Sequence, residues 1–237
     1  MNNTLKISKY LFNDLKKAMI IFYSIVVAIT MLMFALYVYI KTQTDGITNF
    51  SGFGFSSFIF LFVSGVSMFK PNFKFLQANN ISRKSFYKAN VATFVTISAF
   101  MALIDIILNQ VINLIIPYEN LPQQIYNSNS LLSDFMWSFA FFAFAASTGW
   151  CINMLYYRCD KLMKTVISFI PVLIIIILGM LNNLTQGALA RAIAKFLTAA
   201  LGLNNNNPYM GALSFFILAA GTFGLCYLLI RRITIKD

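Results

Sequence analysis

The chain has 237 residues, of which 59% are hydrophobic and 11% charged, with a net charge of +11 and a mean hydropathy of +0.74. That apolar content exceeds what a soluble domain of this length needs for its core, so a soluble globular protein is set aside. The cations are then read by position, as markers of orientation beside membrane spans, and not as a nucleic-acid surface.

Taken from the start, residues 1–17 form an amphipathic leader. In "TLKISKYLFNDLKKAM", Leu5, Phe12 and Leu15 fall near one helical face with Ile7 and Leu11 flanking, while Lys6, Lys9, Lys16 and Lys17 populate the rest. The pattern predicts a helix lying on the inner leaflet as a surface anchor. Six segments then pass the spanning test of about 20 apolar residues, at 18–40, 53–69, 91–116, 135–157, 165–181 and 209–230. The first is longer than a signal-peptide core and is followed by Lys41-Thr-Gln-Thr, which lacks a small-residue cleavage site, so it is expected to stay in the mature protein. Residues 1–237 are expected to be one membrane domain, comprising the leader, a bundle over 18–230 and a tail over 231–237.

Cation placement orients the bundle. Lys6, Lys9, Lys16 and Lys17 precede the first span; Lys70, Lys74, Arg83, Lys84 and Lys88 lie between the second and third; Arg158, Lys161 and Lys164 between the fourth and fifth; Arg231, Arg232 and Lys236 after the last. That is fifteen of eighteen, leaving only Lys41, Arg191 and Lys195 on the other side. The positive-inside rule therefore predicts an even number of spans with both termini cytoplasmic.

Between the second and third spans lies "KPNFKFLQANNISRKSFYKAN", rich in cations and free of acids. Pro71 is expected to end the second span, and Asn72 to cap a short helix carrying Phe73, Leu76 and Gln77. Asn79-Asn80 breaks it, Ser82 is an N-cap, and Ile81 can staple to Phe86 in the helix that becomes the third span. A short helix parallel to the membrane, fixed by a stiff corner and facing the cytoplasm, follows. On physical grounds alone it is either a docking surface or a basic loop that sets topology and attracts anionic lipid.

Asp105 lies near the middle of the third span, where a carboxylate costs about 2.5–3.5 kcal/mol on insertion scales, and no Lys or Arg lies mid-span to pair with it. Asn109 and Asn113 continue one stripe at i+4 and i+8, with Gln110 beside it. This is either the lining of a polar pathway or subunit seam, or an interhelical hydrogen-bond cluster. Ala145-xxx-Gly149 and Gly221-xx-Gly224 read as close-packing positions, and Trp137, Tyr157 and Tyr209 as interfacial anchors.

Between the fifth and sixth spans, "TQGALARAIAKFLTAALGLNNNNP" sets Leu189, Ile193, Phe196 and Leu201 against Arg191 and Lys195. It is too amphipathic to span and predicts a helix at, or dipping into, the outer leaflet, ended by Asn204 to Asn207. Cys151, Cys159 and Cys226 are scattered, there is no His, and the seven carboxylates form no pair within a span. An intramembrane enzyme is not expected. There is no Gly-Lys-Ser/Thr phosphate loop, so the chain carries no ATPase site of that kind.

The segment "NNISRKSFYKAN", together with six spans, two cytoplasmic ends and an amphipathic leader, resembles the membrane subunits of type-2 ABC exporters. In them a hydrophobic-Ser-Arg-Lys-x-Phe pattern opens the third span. The resemblance implies a permease half in a bacterial cell membrane, paired with a second, identical or homologous six-span subunit and with two cytoplasmic ATPases that hold ATP and Mg2+. It implies that Phe73, Leu76, Gln77, Ile81, Ser82, Arg83, Lys84 and Phe86 form the ATPase-coupling interface, with Lys6, Lys9, Phe12 and Lys16 as a leader interface. It also implies that Arg191, Lys195 and Phe196 belong to an outer gate. The Phe-rich, charge-poor spans suit a hydrophobic or amphipathic cargo, such as a membrane-active peptide, with lipid second. A proton- or ion-coupled secondary transporter using Asp105 and a non-transporting membrane scaffold are the readings from other classes.

Overall fold

A computed structural model describes residues 3–43, 53–115, 118–127, 130–231 and 233. Thr44, Arg232 and Lys236, named above, lie outside them. The helices are α1 (Asn3–Gln43), α2 (Phe53–Ala78), α3 (Arg83–Asn113), α4 (Leu121–Tyr126), α5 (Leu131–Arg158), α6 (Lys161–Leu184), α7 (Ala188–Ala200) and α8 (Pro208–Arg231), with a 3-10 turn at Leu203–Asn205 before α8. Among the described residues there is no strand. Among the described residues six helices, α1, α2, α3, α5, α6 and α8, are long and apolar enough to cross a membrane, and the chain is a multi-pass membrane protein.

The centre of the bundle is α5, packed against α2, α8 and α3. Its buried face includes a run of small residues, Ala140, Ala143, Ala145, Ala146, Ser147 and Gly149, which let neighbouring backbones approach, alongside large ones such as Trp137, Phe142 and Trp150. A Cβ on Gly149 would strike the Phe62 carbonyl of α2, and one on Gly65 would strike the Ala146 carbonyl of α5. The close-packing assignment holds for Gly149 and extends to Gly65, but it fails for Gly221 and Gly224, which face open space. On the other side Ser147 Oγ and Thr222 Oγ1 lie 2.6 Å apart, joining α5 to α8. Trp137 and Tyr157 are buried in the protein and do not serve as interfacial anchors, whereas Tyr209 is exposed. Cys151 and Cys226, scattered in sequence, meet across α5 and α8 as free thiols sharing a hydrogen bond.

Two expectations about helix ends are corrected. The leader and first span are one 41-residue helix, about 60 Å long at 1.5 Å per residue, and not a separate surface helix. Its buried face is Ile7, Leu11, Leu15 and Met19, an i, i+4 row against the bundle, while Leu5 is exposed and Phe12 half-buried. Ser8 Oγ and Thr93 Oγ1, 3.1 Å apart, fix this row on α3. Likewise α2 runs through Pro71 to Ala78, so no separate helix starts at Asn72. Proline costs about 3 kcal/mol in a helix interior, but Phe69 and Phe73 on either side are wholly buried and hold the helical path.

In contrast to the tightly packed α5, α6 contains no buried residue and stands at the edge of the bundle. It begins at Lys161 and ends at Leu184, longer at both ends than its apolar stretch.

Candidate functional site

Two regions concentrate polar or charged groups. At the end of the bundle where α2, α5 and α8 finish and α3 starts, the corner between α2 and α3 is built from its own sequence. Asn80 adopts a left-handed conformation, with φ 56°. Its N–H donates to the Gln77 carbonyl at 3.0 Å and the Ile81 N–H to the Leu76 carbonyl at 3.1 Å, closing α2 with a Schellman motif. The Gln77 side chain donates to the Ile81 carbonyl at 2.7 Å. Ser82 then caps α3, its hydroxyl accepting from the Ser85 N–H at 3.2 Å, and Ile81 packs on the cluster that contains Phe86. The predicted N-cap and staple positions are therefore occupied as read.

Exposure redistributes the predicted interface. Phe73, Leu76 and Phe86 are buried, not cytoplasm-facing; they sit in an aromatic cluster with Phe69 and Tyr157, with Phe73 and Phe86 centroids 5.5 Å apart. Periodicity showed that these residues share a face but not that the bundle covers it. Lys84 and Ser82 are exposed, and Arg83 is half-buried, its Nη1 donating to the Arg231 carbonyl at 3.1 Å and so satisfying the end of α8. The exposed aromatic at the corner is Phe75, 51% accessible, which stacks on Tyr10 of α1, 43% accessible, with centroids 5.4 Å apart. Both escaped the sequence reading, although Phe75 lies two residues from Phe73 and so on a different helical face. Lys6, Lys9 and Lys16 are exposed on the same helix as Tyr10.

The second region is a small cavity, about 20 Å³, enclosed by α1, α2, α3, the α4 segment and α5. Ser57, Asp105, Asn109, Asn120 and Ser138 supply its polar lining, with no Lys or Arg among the described residues. Tyr23 donates to Asp105 Oδ1 at 2.8 Å, and Ser57 hydrogen-bonds the same carboxyl. Asp105 Oδ2 is buried, and no donor among the described residues reaches it. Of the predicted stripe, Asn109 is buried and joins Asp105 in the lining; Asn113 is exposed, its Oδ1 accepting from the Tyr118 N–H at 2.8 Å, and Gln110 is exposed. Tyr23 and Ser57 could not be found from one sequence, because they approach from other helices.

The α4 segment closes the cavity. Asn120 and Gln123 form a reciprocal capping box, and both amides donate to Asp134 Oδ2, at 2.8 and 3.2 Å. Tyr126 donates to the Leu201 carbonyl at 2.7 Å and accepts from Trp137 Nε1 at 3.4 Å; burial pushes its phenol above the ordinary value, against the opposing Trp137 contact. Among the described residues, α7 does carry Arg191, Lys195 and Phe196 on an exposed amphipathic helix, but it touches α6, the 3-10 turn and α8 and contributes nothing to the cavity lining. No group of three His, Cys, Asp or Glu side chains that could hold a metal occurs among the described residues.

No protein-family model matches the chain, and neither a curated protein nor a solved structure matches it.

Proposed function

We propose that the chain is the membrane subunit of an ATP-driven exporter of the type-2 ABC kind, acting as one of two six-span halves and engaging two separate cytoplasmic ATPases. ATP and Mg2+ would bind on those partners. Closure of the ATPases would push on the corner between α2 and α3, and the spans would rearrange around a hydrophobic or amphipathic cargo, a membrane-active peptide first.

The observation that carries this reading is the exposed Tyr10–Phe75 stack, with the half-buried Lys74 next to Phe75 in the chain, on a corner whose caps and buried aromatics leave it little freedom and which also exposes Lys84. A loop that only set topology would need its cations but neither a rigid turn nor an exposed aromatic pair. Aromatic residues ringed by polar ones are the usual anchors of a protein interface. The leader and the corner, two separate interfaces in the sequence reading, become one surface. With this end cytoplasmic, both termini lie on the cytoplasmic side of a bacterial cell membrane.

The test is copurification. A soluble ATPase encoded beside this chain should be retained on the purified permease and lost when Tyr10 and Phe75 are both replaced by Ser. Absence of any retained ATPase on the parent protein would refute the exporter reading. The secondary-transporter reading draws on the Asp105 cavity, and an Asp105→Asn variant that loses all gradient-driven transport would favour it.

A further inference from the structure

We propose that the cavity beside Asp105 is a binding site for a small monovalent cation of the sodium class, a resident ion that ties α1, α2 and α3 together beneath the α4 segment.

The chemistry starts from the carboxylate. Asp105 Oδ1 accepts from Tyr23 at 2.8 Å, and Ser57 adds a second hydrogen bond to the same carboxyl. Two hydroxyl partners on one carboxyl suit an ionised acceptor. Oδ2 is buried and faces no donor among the described residues. As a carboxylate it leaves a charge uncompensated in the bilayer's interior; as an acid its O–H lacks a protein acceptor. A cation in the adjoining cavity resolves the first case, and the lining supplies what such an ion requires. Ser57, Asn109, Asn120 and Ser138 all carry side-chain oxygens, and no Lys or Arg competes.

Charge and size narrow the class. One carboxylate in the lining balances one positive charge, and the absence of any three-residue His, Cys, Asp or Glu group among the described residues argues against a transition metal or a tightly held divalent ion. A cavity of about 20 Å³ accommodates one water-sized occupant, which fits a dehydrated small ion and not an organic ammonium. Behind Asn120, Asp134 accepts two amide hydrogens on Oδ2, so a second carboxyl group, one residue removed, holds Asn120 in place at the cavity. Asn120 thereby links the lining to the capping box that sets the α4 segment over the cavity.

This inference is independent of the exporter reading, because the ion need not be cargo and the ATPase surface lies at the other end of the bundle. The experiment uses the full chain in detergent. Thermal unfolding is followed in NaCl and in choline chloride at equal ionic strength, alongside saturable binding of radioactive sodium. The parent should be stabilised by sodium in a saturable way. Asp105→Asn should bind no sodium and show no difference between the salts, because an amide carries no charge to neutralise. Asn109→Ala and Ser138→Ala should each raise the half-saturating sodium concentration about tenfold, as loss of one ligand contact predicts. Asn113→Ala, outside the cavity, should leave it unchanged. If the Asp105→Asn variant does not accumulate, the Asn109 and Ser138 variants decide the location. Identical stability and no saturable binding of sodium by the parent would overturn the site, leaving a protonated carboxyl beside a water. Sodium stabilisation that survives in Asp105→Asn, or that Asn109→Ala and Ser138→Ala leave unshifted, would overturn its location.

Discussion

The Tyr23 hydroxyl meets Asp105 Oδ1 at 2.8 Å, which joins the first membrane helix to the third in the apolar part of both. Most of α1 beyond Val26 faces outward, so this bond and the Ile7, Leu11, Leu15 and Met19 row hold the helix to the bundle. Tyr23→Phe removes the donor and keeps the ring. A loss of about 1.5–3 kcal/mol, the range for a hydrogen bond to a charged group, is expected in thermal or denaturant unfolding of the purified protein. A variant as stable as the parent would show that the bond contributes nothing to anchoring α1.

Asp105 itself separates the transport readings. Asp105→Asn keeps hydrogen-bonding capacity and should retain much of an ATP-driven transport activity, while Asp105→Leu should damage transport or assembly by leaving Tyr23 and Ser57 without their acceptor. Cargo efflux with and without a proton gradient is the measurement. An inactive Asn variant, combined with gradient-driven transport by the parent that needs no ATPase, would contradict the exporter reading.

At the corner, burial splits one expected phenotype into two. Tyr10→Ser with Phe75→Ser, or Lys84→Glu, changes exposed side chains and should release the ATPase while the permease stays folded. Phe73→Ser instead opens the buried cluster with Phe69, Phe86 and Tyr157, and a loss of about 3–5 kcal/mol should appear as poor accumulation or early unfolding. Size-exclusion profiles and ATPase retention on the same samples distinguish the two outcomes.

Helix packing yields a further contrast. Gly149→Leu and Gly65→Leu must push α2 and α5 apart, because the added carbon meets backbone and not a movable side chain. Gly221→Leu and Gly224→Leu enter open space and should be tolerated. The comparison is the yield of monodisperse protein from membranes, and equal yields for both pairs would refute the packing argument.

Orientation is open to a direct measurement. A single Cys placed within 204–207 should react with an impermeant thiol reagent on intact cells, and one at Ser82 or Asp160 should not, in a background with the three native cysteines removed. Labelling of the Ser82 site from outside would reverse the bundle and remove the basis for ATPase docking at that end.

Membrane residence, six long apolar helices and the amphipathic α7 were legible because each depends on local composition summed over a helix length, which a single sequence contains in full. The Ser82 cap was legible for the same reason, since a side chain bonding a backbone three residues on needs no distant partner. Tertiary structure alone decided the rest. Pro71 was overruled by buried aromatics on both sides of it, and Leu5 lost its place on the packing face to Ile7 because the location of α3, not the sum of apolar residues, sets which stripe of α1 is covered. The partners of Asp105 come from α1 and α2, 82 and 48 positions earlier in the chain, and no periodicity within α3 encodes them. Close approach of helices is a property of two surfaces together, so Gly65 and Gly149 carry the contact while Gly221 and Gly224, alike in sequence, carry none.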